Sequence, residues 1–198
     1  MTSRRIGLLG GSFNPPHLGH LKLAELALQH LRLDELWVLP NTTSPHKAAP
    51  KISHEDRLMM MQLTFENLGS KVLINDLELR REPPTYTIDT LKSLKKDFPH
   101  DRFVFIIGSD AYASFPTWSE SESILTLCSL AIGLRPGLSL LESLNHEWSG
   151  SVGEKVRLPS TELSYASYLI RDALVSNRVP IGLLPKVASW IHQHGLYR

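Results

Sequence analysis

Cysteine is nearly absent from this sequence, since Cys128 is the only one in 198 residues. A single cysteine cannot build a disulfide framework, so the fold must stand without one. Basic charge is not in excess either, because 21 lysines and arginines stand against 20 aspartates and glutamates. Proteins that bind a nucleic-acid backbone or an anionic membrane usually carry such an excess. We therefore expect a small ligand and a reducing compartment, the cytoplasm.

Long hydrophobic runs are also missing. The longest, Ile124–Leu134, is interrupted by Thr126 and Ser129 and is too short to span a bilayer. Only residues 6–9 separate the basic pair near the start from glycines and prolines, which is not the apolar core of a secretory signal. The sequence therefore predicts a soluble protein without a membrane partner.

The chain contains strand and helix patterns in alternation, within a length typical of one domain. We predict strands at Arg5–Leu9, Glu35–Leu39, Lys71–Leu79, Phe103–Ile107, Ser129–Gly133 and Lys155–Leu158. Helices are predicted at Leu18–Leu31, His54–Asn67, from near Thr87, at Tyr165–Ser176 and at Pro185–His194. The alternation indicates a single α/β domain over 1–198, a doubly wound parallel sheet with a C-terminal helical segment from about 160. Ligands of such sheets bind beyond the carboxyl ends of the strands.

The first loop after a strand, residues 10–20, reads GGSFNPPHLGH and runs directly into a helix. Gly10 and Gly11 allow the backbone to approach a ligand closely, and the helix start is expected to offer unpaired N–H groups to an anion. His17 and His20 are three residues apart, so both imidazoles lie on one face of the first turn. The pattern predicts a phosphate site. The alternative is that two surface histidines occur together by chance.

This loop resembles the HxGH signature of the nucleotidyltransferase superfamily, in which the histidines bind the triphosphate of ATP or CTP. The resemblance implies a Rossmann-like nucleotidyltransferase fold, catalytic roles for His17 and His20, and ATP contacts from Gly10, Gly11, Ser12 and Phe13. The GxGxxG and GxxxxGK motifs are both absent from the sequence, which excludes the common dinucleotide-binding oxidoreductases and P-loop kinases.

Later segments resemble those of bacterial nicotinate mononucleotide adenylyltransferases over nearly the whole chain. They are Pro40-Asn41 with Pro45-His46-Lys47, Thr85-Tyr86-Thr87, Gly108-Ser109-Asp110, Phe115-Pro116-Thr117-Trp118 and Arg135-Pro136-Gly137. The resemblance implies that nicotinate mononucleotide is bound by Asn41, His46, Lys47, Arg57, Thr85, Tyr86, Thr87 and Trp118. It assigns further ATP contacts to Gly108, Asp110 and Arg135.

Each of these segments also has a plain structural interpretation. The loop with His46 and Lys47 could be solvated surface, Arg57 a solvated helix residue, and Thr85 or Thr87 a helix cap. Trp118 follows a strand end, where its indole could stack on the pyridine ring. The remaining tryptophans, Trp37, Trp148 and Trp190, are expected in the core.

The second signature of the family, Ile-Ser-x-Thr-x-x-Arg, is only partly present in Leu163–Arg171. Alignment on Arg171 puts Ala166 and Tyr168 at the family serine and threonine, whereas alignment on Ser164 leaves the arginine two residues late. The resemblance still allows the Ser167 hydroxyl to contact ATP and the Arg171 guanidinium group to bind its phosphate oxygens through two N–H donors.

The resemblance implies adenylyl transfer from ATP to nicotinate mononucleotide, giving deamido-NAD and pyrophosphate. Mg²⁺ would be held by ATP, with no metal ligand from protein side chains, and a homo-oligomer is allowed. Phosphopantetheine adenylyltransferases and cytidylyltransferases share the HxGH loop and remain alternatives. HLGH also resembles the HIGH signature of class I aminoacyl-tRNA synthetases, although a basic tRNA-binding domain is missing. A non-catalytic nucleotide-binding module is the alternative from another class.

Overall fold

The fold is a six-stranded sheet covered by helices, seen in a computed structural model that describes residues 3–43, 50–134, 148–160 and 165–198. The strands are β1 (Arg5–Gly11), β2 (Glu35–Pro40), β3 (Val72–Ile74), β4 (Arg102–Gly108), β5 (Ser129–Gly133) and β6 (Lys155–Leu158). The helices are α1 (Leu18–His30), α2 (His54–Phe65), α3 (Thr87–Asp97), α4 (Ser109–Ser114), α5 (Ser121–Leu127), α6 (Ser167–Val175) and α7 (Pro185–Gln193). Short 3₁₀ turns follow α2 at Glu66–Leu68 and α4 at Phe115–Thr117.

All six strands pair in parallel, in the order β3-β2-β1-β4-β5-β6. Strands β1 and β4 are neighbours although two other strands separate them in sequence, with Leu9 opposite Ile106. The strand order therefore reverses direction between β1 and β4, which opens a crevice beyond their carboxyl ends. The predicted doubly wound α/β sheet is confirmed.

Alternating side chains of each strand fill two separate cores. In β4, Phe103, Phe105 and Ile107 pack beneath α3 and α5, whereas Val104 and Ile106 pack with α1 and α2 on the other face. Strands buried on both faces appear in sequence as continuous apolar runs, which is why β4 was easily predicted. Helices therefore cover both faces of the sheet.

The tryptophans expected in the core divide into two groups. Trp37 is 5% exposed and Trp148 is 7% exposed, so both are core residues as predicted. Trp190 is half-buried and packs against a third apolar cluster, which joins α2 to α7 through Met60, Val187 and other side chains. This cluster attaches the last helix to the remainder of the domain.

Strand β3 is shorter than predicted, because it ends at Ile74 instead of Leu79. Asn75 stops it, since its Oδ1 accepts a hydrogen bond from Leu77 N at 3.0 Å and turns the chain. Helix α6 likewise begins at Ser167, two residues later than predicted. In the described ranges, no helix is long and apolar enough to cross a membrane.

Candidate active site

A cavity of about 700 Å³ lies beyond the carboxyl ends of β1 and β4, against the start of α6. The predicted site residues that line it are Gly10, Gly11, Ser12, Phe13, His17, His20, Asn41, Thr85, Tyr86, Thr87, Gly108, Asp110, Trp118, Ser167 and Arg171. Three further predicted residues, His46, Lys47 and Arg135, lie outside the described residues. Arg57 is described but does not line the cavity.

The two histidines of the first loop form a stacked pair at the entrance to α1. His17 is the N-cap of this helix, and its Nδ1 accepts a hydrogen bond from Gly19 N at 3.1 Å. His20 reaches back, and its Nδ1 accepts from His17 N at 3.2 Å. The ring centroids are 3.8 Å apart with an interplanar angle of 29°. Each imidazole is thus oriented by a main-chain N–H group.

These two hydrogen bonds determine where the ring protons lie. A nitrogen that accepts a hydrogen bond carries no proton, so the proton of each neutral ring is on Nε2. Both rings line the cavity, although His17 is only 4% exposed. With its proton on Nε2, each ring is a hydrogen-bond donor of a kind that suits phosphate oxygens.

The prediction that unpaired N–H groups at the start of α1 would bind phosphate is wrong. Leu18 N donates to Gly182 O at 2.9 Å, and His20 N donates to His17 O at 2.9 Å. Gly19 N is used by the His17 ring. The main-chain donors of the first turn are therefore used within the protein, one by the His17 ring and the others by the carbonyl oxygens of Gly182 and His17. Donors toward an anion come instead from the imidazoles.

Gly19 and Phe13 hold the histidine pair in shape. A Cβ atom at Gly19 would lie 3.0 Å from both Cε1 and Nδ1 of His17, so only glycine leaves the cap ring undisturbed. Phe13 is buried at a φ of 44°, and its ring centroid is 4.9 Å from that of His20. A backbone in this sparsely populated region persists only where packing imposes it. Phe65 supplies that packing in an edge-to-face contact at 6.1 Å.

Arg57 joins the loops that follow β1 and β2. It is completely buried, and its Nη1 donates to Ser12 O and to Asn41 O, each at 2.8 Å. Burial lowers the pKa of Arg57 from its usual value. The interpretation of Arg57 as a solvated helix residue is wrong, because α2 directs it beneath the site. It holds two cavity-lining segments together from below.

The start of α6 borders the cavity next to the first loop. Ser167 Oγ donates to Pro15 O at 2.9 Å, and Arg171 Nη1 donates to Asn14 O at 2.6 Å. Both side chains also line the cavity, so the altered second signature still reaches the first loop. No described side chain caps the start of this helix. Its first turn therefore faces the cavity with its positive dipole end.

The opposite wall carries the aromatic and hydroxyl groups. Trp118 is half-buried, packs edge-to-face on Phe105 at 6.2 Å and lies 5.5 Å from the Phe115 ring centroid. An indole fixed in this way is a flat platform at the cavity surface. Nearby, Thr85 is buried, and its hydroxyl interacts with the Glu78 carboxylate, which lines the same cavity.

Sequence analysis missed Glu78 and Asn14, which also line the cavity. Glu78 is 6% exposed, its Oε1 accepts from Thr90 Oγ1 at 2.7 Å, and burial raises its pKa. Glu78 was not predicted because it falls within the strand that was predicted to continue to Leu79. Asn14 lies inside the HxGH loop, so its position in the string was a usable signal.

Comparisons with known proteins identify the family of the chain. The sequence profile described as cytidylyltransferase-like matches residues 8–175. A probable nicotinate-nucleotide adenylyltransferase of Shewanella sediminis is 37% identical, with 98% of each chain covered. One of Halalkalibacterium halodurans is 38% identical, over 98% of this chain and 92% of the relative.

Solved structures of low sequence identity share the fold. The Plasmodium falciparum nicotinic acid mononucleotide adenylyltransferase complexed with NaAD has a TM-score of 0.78 at 22% identity, covering 98% of this chain and 97% of that one. A putative nicotinate-nucleotide adenylyltransferase from Vibrio parahaemolyticus has a TM-score of 0.71 at 21% identity, over 98% and 96%.

Proposed function

Because the chain belongs to the nicotinate-nucleotide adenylyltransferases of the cytidylyltransferase-like family, we propose that it transfers the adenylyl group of ATP to nicotinate mononucleotide. The products are deamido-NAD and pyrophosphate, which is a step of NAD biosynthesis. The observation that carries the proposal is the stacked pair of His17 and His20, whose rings line the same cavity as Trp118 and Thr85.

The reaction needs no covalent intermediate on the enzyme. A phosphate oxygen of nicotinate mononucleotide attacks the α-phosphorus of ATP, and the bond from that phosphorus to the bridging oxygen of pyrophosphate breaks. The nucleophile is already an anion, so no strong base is required. Catalysis then reduces to positioning and charge stabilisation. Positioning two bound reactants supplies roughly 7–11 kcal/mol, and each well-placed donor about 3–4 kcal/mol more.

Three groups would meet the ATP phosphates. The Nε2–H groups of His17 and His20 donate to the triphosphate, where negative charge shifts toward the leaving pyrophosphate. Arg171, whose Nη1 already bonds the Asn14 carbonyl, lies at the same wall and adds a cationic fork. The glycine-rich segment at the end of β1 brings the main chain close to the nucleotide.

The acceptor would lie on the opposite wall. We infer that the Trp118 indole stacks on the pyridine ring and that Thr85, Tyr86 and Thr87 hold the nucleotide where α3 begins. The position of all three residues on the cavity lining supports this placement. Arg57 contributes by holding the loops of Ser12 and Asn41 in place, without itself lining the cavity.

We propose that Mg²⁺ accompanies ATP. The described residues contain no group of three or more His, Cys, Asp or Glu side chains that could hold a metal ion. Glu78 and Asp110 are the two carboxylates among the described lining residues, and Glu78 is engaged by Thr90. This donor set fits a cation whose ligands come mainly from phosphate oxygens. Bound there, Mg²⁺ would neutralise charge on the phosphates.

The test is pyrophosphate release with ATP and Mg²⁺ held constant and the acceptor varied. Nicotinate mononucleotide, nicotinamide mononucleotide, phosphopantetheine and a phosphorylated alcohol such as choline phosphate form the panel, with CTP replacing ATP in a second series. We expect turnover with ATP and a pyridine mononucleotide. Turnover only with phosphopantetheine or only with CTP would identify one of the alternative transferases. Intact ATP with every acceptor would indicate a non-catalytic nucleotide-binding module.

Assembly and location are further parts of the proposal. The balanced charge and the single cysteine support a cytoplasmic enzyme that binds neither nucleic acid nor membrane. Val175, Val179 and Ile181 are exposed apolar side chains around the end of α6, which supports a homo-oligomer. Light scattering on the purified protein measures the assembly: a mass of 22.3 kDa at micromolar concentration would contradict it.

A further inference from the structure

The end of α7 is built to reverse the chain. Gly195 has a φ of +61°, in the left-handed region that favours glycine. Leu196 N donates to Ile191 O at 3.0 Å, and Gly195 N donates to His192 O at 3.3 Å. This pair of bonds is the Schellman motif that ends many helices. Tyr197, two residues after Gly195, also has a positive φ of 60°.

Tyr197 uses this reversal to reach the HxGH loop. Its ring packs against the apolar cluster between α2 and α7, and its hydroxyl donates to Asn14 Oδ1 at 2.7 Å. The two residues are 183 positions apart in sequence. Burial raises the pKa of the Tyr197 hydroxyl, so this group remains a donor at neutral pH.

Asn14 is held at both of its oxygens. Arg171 donates to its carbonyl oxygen, and Tyr197 donates to its side-chain oxygen. With Oδ1 occupied, the polar atom of the side chain that remains for a ligand is the amide nitrogen, a donor. Asn14 lines the cavity and precedes His17 by three residues. A movement of Asn14 would therefore be transmitted to the cap of α1.

We propose that Tyr197 is a positioning residue for adenylyl transfer, which holds the Asn14 amide toward the ATP phosphates and keeps the histidine pair aligned. This inference rests on the proposed function and extends it to the Gly195–Tyr197 turn. The turn lies outside the cavity lining, so it acts through Asn14 and has no contact with substrate of its own.

The test compares Tyr197→Phe with Trp190→Phe. The first variant removes only the hydroxyl that reaches Asn14, and the second removes the bond from Trp190 Nε1 to Asp56 Oδ1, measured at 3.1 Å on the same helical segment. We expect Tyr197→Phe to lower kcat about tenfold, with KM for ATP changed less than about threefold. Trp190→Phe should lower the melting temperature at least as much but leave kcat within about twofold. Equal kcat values for Tyr197→Phe and wild type would overturn the inference.

A double-mutant cycle with Asn14→Ala tests the route of the effect. If Tyr197 acts through Asn14, adding Tyr197→Phe to Asn14→Ala should lower kcat by less than about twofold more. Multiplied losses in kcat would contradict the proposed route. The free energy of unfolding of the same variants, measured in urea, separates this inference from the proposed function. If wild type turns over no acceptor, the function fails, whereas losses of stability that are less than additive for Tyr197→Phe and Asn14→Ala would still support the contact with Asn14.

Discussion

The imidazoles of His17 and His20 stack at a centroid distance of 3.8 Å, and each accepts a main-chain hydrogen bond at Nδ1. The reciprocal bonds form a capping box in which two histidines replace the usual hydroxyl and carboxylate residues. The cap therefore does two tasks at once. It begins α1, and it fixes the tautomer in which the ring proton of each neutral histidine lies on Nε2.

Gly19→Ala should separate stability from activity. Alanine is a better helix residue than glycine by about 1 kcal/mol, so the free energy of unfolding should fall little or rise. The new Cβ atom would lie 3.0 Å from the His17 ring and must displace it. We expect kcat to fall about tenfold or more, because a displaced ring no longer presents its Nε2–H group. Urea unfolding and pyrophosphate release measure the two effects, and a large loss of stability with unchanged kcat would contradict the account.

Arg57→Met should destabilise the protein by about 2–4 kcal/mol, because two buried carbonyl groups lose their donor. Ser12 O and Asn41 O are the acceptors concerned. Arg80→Met is the matched control, since Arg80 is exposed and, among the described residues, pairs with Asp76 on the surface. Its effect should stay within about 0.5 kcal/mol. Similar midpoints of urea unfolding for both variants would show that Arg57 does not hold the two loops.

Trp118→Ala should weaken binding of nicotinate mononucleotide more than binding of ATP, because only the former carries the pyridine ring. The loss of an aromatic contact corresponds to about 1 kcal/mol or more, a five- to tenfold rise in Kd. Trp118→Phe keeps a flat ring and should recover part of this affinity. Calorimetric titrations with each ligand provide the measurement. Equal losses for the two ligands would remove Trp118 from the acceptor site.

Cys128 should make the free energy of unfolding depend on pH in the alkaline range. Burial raises the pKa of its thiol to about 12 in the folded protein. The unfolded chain ionises this thiol near its ordinary pKa of about 8.5. The free energy of unfolding should therefore be insensitive to Cys128 below about pH 8 and fall as pH rises above about 9.

The matched variant is Cys128→Ala, which lacks the titrating group. Other side chains titrate in the same range, so the informative quantity is the difference between the two proteins. Between pH 7 and pH 10, wild type should lose about 1–2 kcal/mol more than the variant in urea unfolding. Identical pH dependence of the two proteins would show that the thiol is accessible and ionises in the folded state.

The sheet was largely predictable because buried parallel strands have a local signature. The runs Phe103–Ile107 and Ser129–Gly133 are apolar on both faces, and each lies at or within one residue of a strand boundary in the structure. The error at β3 came from Asn75, whose side chain turns the chain in the middle of a plausible strand pattern. A turn made by one side chain competes with local propensity and is difficult to detect from sequence alone.

The site was predictable where its residues are close in sequence. His17, His20 and the glycines before them form one string, and the structure places all of them on the cavity. Two features had no local signal. Arg57 is buried only because the loops of β1 and β2 cover it, and the contact of Tyr197 with Asn14 joins segments at opposite ends of the domain. Histidine is also an uncommon N-cap residue. For this reason the sequence did not indicate that the main-chain N–H groups at the start of α1 are already hydrogen-bonded.

The most direct test of the account is the rate of pyrophosphate release by His20→Ala, with ATP and nicotinate mononucleotide both saturating. His30→Ala is the control, because His30 lies exposed in the last turn of the same helix. We expect kcat of His20→Ala to fall by about 10²–10³ with an unchanged circular dichroism spectrum, while His30→Ala retains wild-type turnover. Wild-type kcat in a folded His20→Ala protein would contradict the claim that this stacked pair stabilises the reacting phosphates.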